Sequence, residues 1–244
     1  LLRVFVFTLL PFAEYLDLLF LHVSCADLNG KVFLFPKQST TDYVTVIPSQ
    51  SQPLSRVSVC LRYYSPLFYI SLFSLATKNQ HNAFLMYPYS ETWFYFYVGH
   101  QELCIRVDKE PFEWNHVCST WNSDTGVIQL WINGKLYPRL VAQKGFTIPV
   151  PQSMILGQEQ DSCGGGFVAQ ESFAGEMTDF HMWNYVLSLE QIHRVFQNQH
   201  VGNVLSWSSL TFQIYGAVLV QPKIQCHFQG VEYLGSHSGA CSQI

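Results

Sequence analysis

The residues best suited to chemistry lie in one short segment, Gly157-Gln158-Glu159-Gln160-Asp161-Ser162-Cys163-Gly164-Gly165-Gly166. Glu159 and Asp161 are two positions apart, so in extended backbone both carboxylates leave the same side. The flanking glycines let the backbone curl and bring the Gln160 carbonyl toward the same point. Glu171 follows with a third carboxylate. Carboxylate and carbonyl oxygens form a hard donor set, and calcium takes about six to eight such oxygens. The bland alternative for the same residues is a solvated acidic loop that holds nothing.

Other chemistries fit less well. Some glycoside hydrolases with a jelly-roll fold use an E-x-D-x-x-E strand with paired carboxylates as acid and nucleophile. Glu159-Gln160-Asp161 begins that pattern, but its third carboxylate position is Gly164, and the glycine run reads as a loop. No G-x-S-x-G elbow, phosphate-binding loop or H-E-x-x-H helix occurs. An enzyme is therefore not expected. The formal net charge is −4 with no long basic run, so nucleic acid held through phosphates is not an expected partner either.

The elements that must position these residues read as β-strands. The chain has 244 residues, 48% hydrophobic and only 12% charged, which excludes a disordered or highly charged tail protein. An aromatic share of 16% favours a sheet-rich core over a helical bundle. Val127 to Ile132 alternates in period two and runs into Asn133-Gly134, a hairpin-turn dipeptide. Trp93 to Val98 places Trp93, Tyr95 and Tyr97 on one face and Phe94 and Phe96 on the other, and both faces read as buried. Lys31 to Phe35 and Val44 to Ile47 each stop at a proline. One helix is predicted after Ser188. Gln191 completes a capping box there, and Leu189, Ile192 and Phe196 form the expected buried face.

These patterns predict an all-β, antiparallel two-sheet domain over residues 27–224 with one short helix on one face. Residues 1–26 carry Arg3, an apolar run and a small-residue end at Ser24-Cys25-Ala26, which reads as a secretory signal. Pro11, Glu14 and Asp17 interrupt the run, and the alternative is an apolar extension with no targeting role. No stretch offers about 18 uninterrupted apolar residues, so no transmembrane segment is expected. Residues 225–244 show no strand or helix period and read as a disordered tail.

Several motifs in order resemble the pentraxin family. His116-Val117-Cys118-Ser119-Thr120-Trp121-Asn122-Ser123 is similar to its H-x-C-x-[ST]-W-x-[ST] signature. Leu28 to Phe33, Ser71 to Ser74, Leu130 to Gly134 and Leu156 to Ser162 are similar to family segments as well. The resemblance covers about residues 25 to 224. It implies a flattened, lectin-like jelly roll assembled as a cyclic homopentamer. It also implies a secreted acute-phase protein of innate immunity that recognises phosphocholine, phosphoethanolamine or carbohydrate ligands through calcium. Cys60 and Cys118 are the family's disulfide pair. A closed loop of that length stabilises a fold by about 4 kcal/mol in the chain-entropy model. His116 and Trp121 are expected to be core residues.

Residue by residue, Asn82, Glu159, Gln160 (through its carbonyl) and Asp161 match calcium ligands of the family. The family's aspartate beside the asparagine is His81 here, its acidic second-calcium ligand is Val168, its bridging glutamine is Glu171, and its glutamate after the asparagine is Ala83. The expectation is one weak calcium through Asn82, Glu159, Asp161 and Glu171, with a second site empty or of low affinity. His81 beside the carboxylates also suggests a mixed nitrogen and oxygen set for zinc or copper, which no two-histidine spacing supports. Tyr87, Tyr97 and Glu102 fall at the family's head-group pocket, where aromatic faces and a carboxylate suit a quaternary ammonium. Tyr97 stands where some members have a small residue and is expected to fill part of that pocket. The alternative function is a non-binding or decayed paralogue that keeps only fold and oligomer.

Five cysteines remain. Cys104, between Leu103 and Ile105, is expected to be buried, and Cys163 to be an exposed thiol. Cys25 would leave with the signal. Cys226 and Cys241 are free to pair with each other, and the sequence leaves their connectivity open.

Overall fold

Alternation of bulky residues along short strands organises the chain. In Trp93–Val98, Phe94, Phe96 and Val98 are buried, while Trp93 is exposed and Tyr95 and Tyr97 are half-buried. The expectation that both faces of this strand are buried is therefore corrected: one face enters the core and the other borders solvent. The computed structural model describes residues 24–25, 27–108, 113–228 and 239–243.

In chain order the strands are β1 (Ser24–Cys25), β2 (Lys31–Phe35), β3 (Tyr43–Ile47), β4 (Arg56–Tyr64), β5 (Phe73–Thr77) and β6 (Gln80–Pro88). There follow β7 (Trp93–Val98), β8 (Gln101–Arg106), β9 (Asn115–Asn122), β10 (Val127–Ile132), β11 (Lys135–Leu136) and β12 (Leu140–Val141). The last are β13 (Ser153–Leu156), β14 (Gly175–Trp183), β15 (Thr211–Tyr215), β16 (Leu219–Pro222), β17 (Ile224–Phe228) and β18 (Gly239–Gln243). One sheet runs β1-β15-β3-β13-β5-β6-β7-β8 and the other β11-β10-β9-β4-β14-β2-β16, with antiparallel pairing throughout. Their inner faces enclose a core that includes Phe33, Phe73, Phe84, Phe94, Trp121 and Phe180, each at most 1% exposed. Asn133 and Gly134 have φ of 49° and 80° at the β10–β11 turn, as the dipeptide requires.

The helix α1 (Leu189–Phe196) begins at Ser188, and both hydrogen bonds of the capping box with Gln191 are present. Its buried residues are Ile192 and Val195, not the expected Leu189, Ile192 and Phe196. Two turns of helix bring only a narrow strip onto the sheet. Leu189 overhangs at 57% exposure, and the Phe196 ring at the other end meets His116 edge-on and lies under Arg62. The strip packs on Cys60, Cys118, Trp131 and Trp183, all of the second sheet. Cys60 and Cys118 are directly opposed in the β4–β9 ladder and form a disulfide beneath the helix. His116 and Trp121 are buried, as expected of core residues.

Cys104 is exposed, which corrects the sequence expectation. On the edge strand β8 the even positions Glu102, Cys104 and Arg106 face outward, while Ile105 is buried. Cys163 is exposed, as expected. The tail also differs from its reading. Over the described residues β17 and β18 pair antiparallel. The proposed signal lies outside the described residues except for Ser24–Cys25, which pair with β15.

Gly157 connects β13 to the acidic segment at φ +89°, and a Cβ there would lie 2.5 Å from Cε1 of Phe35. That ring is 1% exposed and packs edge-on against Phe173, so it has little room to give. Gly157→Ala is expected to cost about 2 to 4 kcal/mol, read as a lowered denaturant midpoint at unchanged slope.

Candidate functional site

The acidic segment is held from below by amides. The Gln158 side chain donates to the Ser39 and Asp42 carbonyls at 2.7 and 3.0 Å. Gln160 Nε2 donates to Ser74 Oγ and O at 2.9 and 3.2 Å, and Gln160 Oε1 accepts from Gly164 N–H at 2.8 Å. Both glutamines are fully buried. With the even positions pinned inward, Glu159 and Asp161 take the opposite side, as the two-residue spacing predicts. Gly166 at φ +77° lets the loop fold back, since a Cβ there would lie 2.7 Å from Cβ of Asp161.

Glu171 arrives from the short helical turn Ala169–Glu171. Its carbonyl accepts from Ser71 N–H at 2.9 Å, and its Oε1 accepts from the Tyr69 hydroxyl at 2.9 Å. Asn82 and Tyr87 come from β6, Tyr95 and Tyr97 from β7, and Glu102 from β8. Together with Tyr69, Leu85, Tyr89, Val168 and the acidic segment they line a cavity of about 440 Å3 on the first sheet, opposite the sheet that carries the helix.

The structure thus brings Asn82, Glu159, Asp161, Val168, Glu171, Tyr87, Tyr97 and Glu102 into one cavity. His81 is exposed and does not line it, so the mixed set for zinc or copper does not assemble. Gln160 contributes its buried side chain as an anchor beneath the loop. Sequence reasoning missed Tyr69, Tyr89 and Tyr95. Tyr95 was recoverable as the period-two neighbour of Tyr97, whereas Tyr69 and Tyr89 sit in irregular backbone with no periodic signal. The four rings of Tyr69, Tyr87, Tyr89 and Tyr95 make a continuous wall, with centroid spacings of 4.7 to 5.3 Å along the Tyr87–Tyr69–Tyr89–Tyr95 path.

The electrostatics are one-sided. Four carboxylates line the cavity and no lysine, arginine or histidine does. The ion pairs among the described residues all lie elsewhere, at Arg56–Asp124, Arg62–Asp179, Lys135–Asp108 and Lys223–Asp179. Asn82 Oδ1 and Glu159 Oε2 are buried with no hydrogen-bond partner. Glu159 is 8% exposed, and burial pushes its carboxyl up to about 7. Hydrogen bonding from Asn82 opposes that rise, and the charges of Asp161 and Glu171 add to it. Buried oxygens without partners beside uncompensated carboxylates fit a hard cation. Among the described residues, the one metal-type trio within 4.8 Å is Cys60, His116 and Cys118, whose thiols are spent in the disulfide.

At the aromatic end, the Tyr97 hydroxyl donates to Glu102 directly across the β7–β8 ladder. The carboxylate expected to receive a ligand's cation is already engaged.

Comparison with known proteins agrees with this frame. The model of the Pentaxin family matches residues 31–222. C-reactive protein of Xenopus laevis is 47% identical over 205 residues, covering 82% of this chain and 86% of that protein. Serum amyloid P-component of Mus musculus is 38% identical over 200 residues, covering 81% and 89%. The native heptameric SAP-like pentraxin from Limulus polyphemus superposes at a TM-score of 0.72 with 28% identity, covering 80% of this chain and 96% of that one.

The Glu159 carboxyl carries a sign that can be checked. Its folded value of about 7 lies above the ordinary value of 4.5. The folded state therefore binds more protons between these values, and stability rises as pH falls from 7 toward 4.5. Above pH 7 the ionised, buried group destabilises the fold. In chelator at pH 8, Glu159→Gln is expected to raise unfolding stability by about 1 to 2 kcal/mol, allowing for solvent at the cavity mouth. The gain should shrink at pH 5.

Proposed function

Because the chain belongs to the pentraxin family, whose members are binding proteins rather than enzymes, we propose that it is a secreted, calcium-dependent pattern-recognition protein. Its ligands in this reading are phosphocholine, phosphoethanolamine or carbohydrate. The observation that carries the reading is the cavity with four carboxylates, three buried unpartnered oxygens (Asn82 Oδ1, Tyr87 Oη and Glu159 Oε2) and no basic residue, set against a wall of tyrosines. A bound calcium would neutralise Glu159 and Asp161 and accept the Asn82 and Glu171 oxygens. It would also supply the positive charge that an anionic ligand group needs in a site otherwise repulsive to it.

The oxygen count favours one weak ion. Val168 lines the cavity at 37% exposure and offers no side-chain oxygen, and His81 lies outside it. The Cys60–Cys118 disulfide supports an oxidising, extracellular setting. No helix among the described residues is long and apolar enough to cross a membrane. A cyclic homo-oligomer, five protomers by family resemblance, is part of the proposal. The Limulus relative is heptameric.

A second reading, altered ligand preference, is favoured by the Tyr97–Glu102 hydrogen bond. With that carboxylate engaged, a cationic head group has the tyrosine faces but less charge to meet it.

Calorimetric titration is expected to find one weak calcium per protomer, and two tight ions would overturn the weakened-site reading. Val168→Asp, which restores an oxygen ligand at an exposed position, is expected to add a second measurable ion. On immobilised phosphocholine the protein should be retained in calcium and released by chelator. Tyr97→Thr should free Glu102 and strengthen retention by about 1 kcal/mol, roughly fivefold. Retention unchanged by chelator would remove calcium from the function.

A further inference from the structure

We infer that Cys226 and Cys241 form a second intrachain disulfide that clasps a C-terminal hairpin. Their juxtaposition rests on backbone register. In the antiparallel pair of β17 with β18, Cys226 stands directly opposite Cys241, flanked by Gln225 opposite Ser242 and His227 opposite Ala240. Directly opposed residues of antiparallel strands have Cα atoms roughly 4.5 to 5.5 Å apart, inside the span of about 4.4 to 6.8 Å that a disulfide bridges. The chain already uses this arrangement once. Cys60 and Cys118 are directly opposed in the β4–β9 ladder, with Cα atoms 4.1 Å apart, and are joined.

Cysteine supply points the same way. Cys60 and Cys118 have each other, and Cys104 and Cys163 are free and exposed. The hairpin also lies beyond residues 31–222, the span that matches the family model. Two short strands alone are marginally stable in water, and a cross-link removes much of the unfolded hairpin's freedom. The chemistry is thiol–disulfide exchange with a small disulfide oxidant such as glutathione disulfide. Two S–H bonds break and one S–S bond forms. The electron pair reduces the oxidant, whose two sulfurs take the protons as thiols.

The inference rests on the extracellular, oxidising setting proposed above, and the core disulfide serves as the control. The full chain, alkylated before denaturation, is digested without reduction by trypsin and a glutamate-specific protease. No lysine or arginine follows Lys223, and Glu232 lies between the two cysteines, so separate peptides 224–232 and 233–244 result. The expected result is that these two peptides run as one species, two hydrogens lighter than their sum, and part on reduction. Separate alkylated peptides beside an intact Cys60–Cys118 link would overturn the inference alone. Alkylation at all four cysteines would overturn both the inference and the oxidising setting. A link from Cys226 or Cys241 to Cys104, Cys163 or a second copy would overturn it as well. The thiol count gives an independent sign. Cys226→Ser and Cys241→Ser should each add one alkylatable thiol, and the double variant should restore the original count. A loss of one thiol in each single variant would overturn the inference.

Discussion

Two buried glutamine side chains carry the site. Gln158 and Gln160 spend their amides on the Ser39, Asp42 and Ser74 carbonyls and on the Gly164 N–H, all beneath the loop. Each such bond contributes only about 1 kcal/mol net, but leaving a buried amide unpaired costs more, so the loop has one way to lie. That constraint turns Glu159 and Asp161 outward together. It also leaves the Glu159 Oε2 buried without a partner, as is the Asn82 Oδ1 beside it in the cavity. The fold holds an acid in a place where only a cation or a proton can complete it.

The rest of the molecule divides its labour by sheet. The second sheet carries the disulfide, the buried Trp131 and Trp183, and the capped helix. The first sheet carries the tyrosine wall and the acidic cavity. Between them lies a shared aromatic core, so each outer face is free to differ without disturbing the other. In the proposed reading the site departs from the family pattern at His81, Val168 and Glu171, above a layer in which Gln158, Gln160 and Ser74 are fully buried.

Much of the architecture was legible because it depends on local rules. Strand stops at proline, the Asn133-Gly134 turn and the Ser188 capping box each follow from backbone chemistry of a few residues, and each appears in the structure. Readings that depended on which neighbour covers a face went wrong. Cys104 looks buried between two apolar residues, but an edge strand turns it outward. Leu189 and Phe196 look like core, but a helix of eight residues offers the sheet only Ile192 and Val195. The tail shows no period, yet its backbone pairs in register.

What the sequence alone determined is the kind of chemistry and the family. Paired carboxylates two apart set the donor type, and ordered motifs from Leu28 to Ser162 set the relatives, because both are properties of residues near one another in the chain. What only the tertiary structure decided is who meets whom. Glu171 joins Glu159 and Asp161, Tyr69 and Tyr89 complete an aromatic wall, Tyr97 engages Glu102, and His81 stands outside. Those meetings depend on strand register and on loops from β5 to β8 folding against the loop after β13. One residue of slip in an antiparallel ladder reverses every side chain's face, and no local pattern encodes that long-range choice.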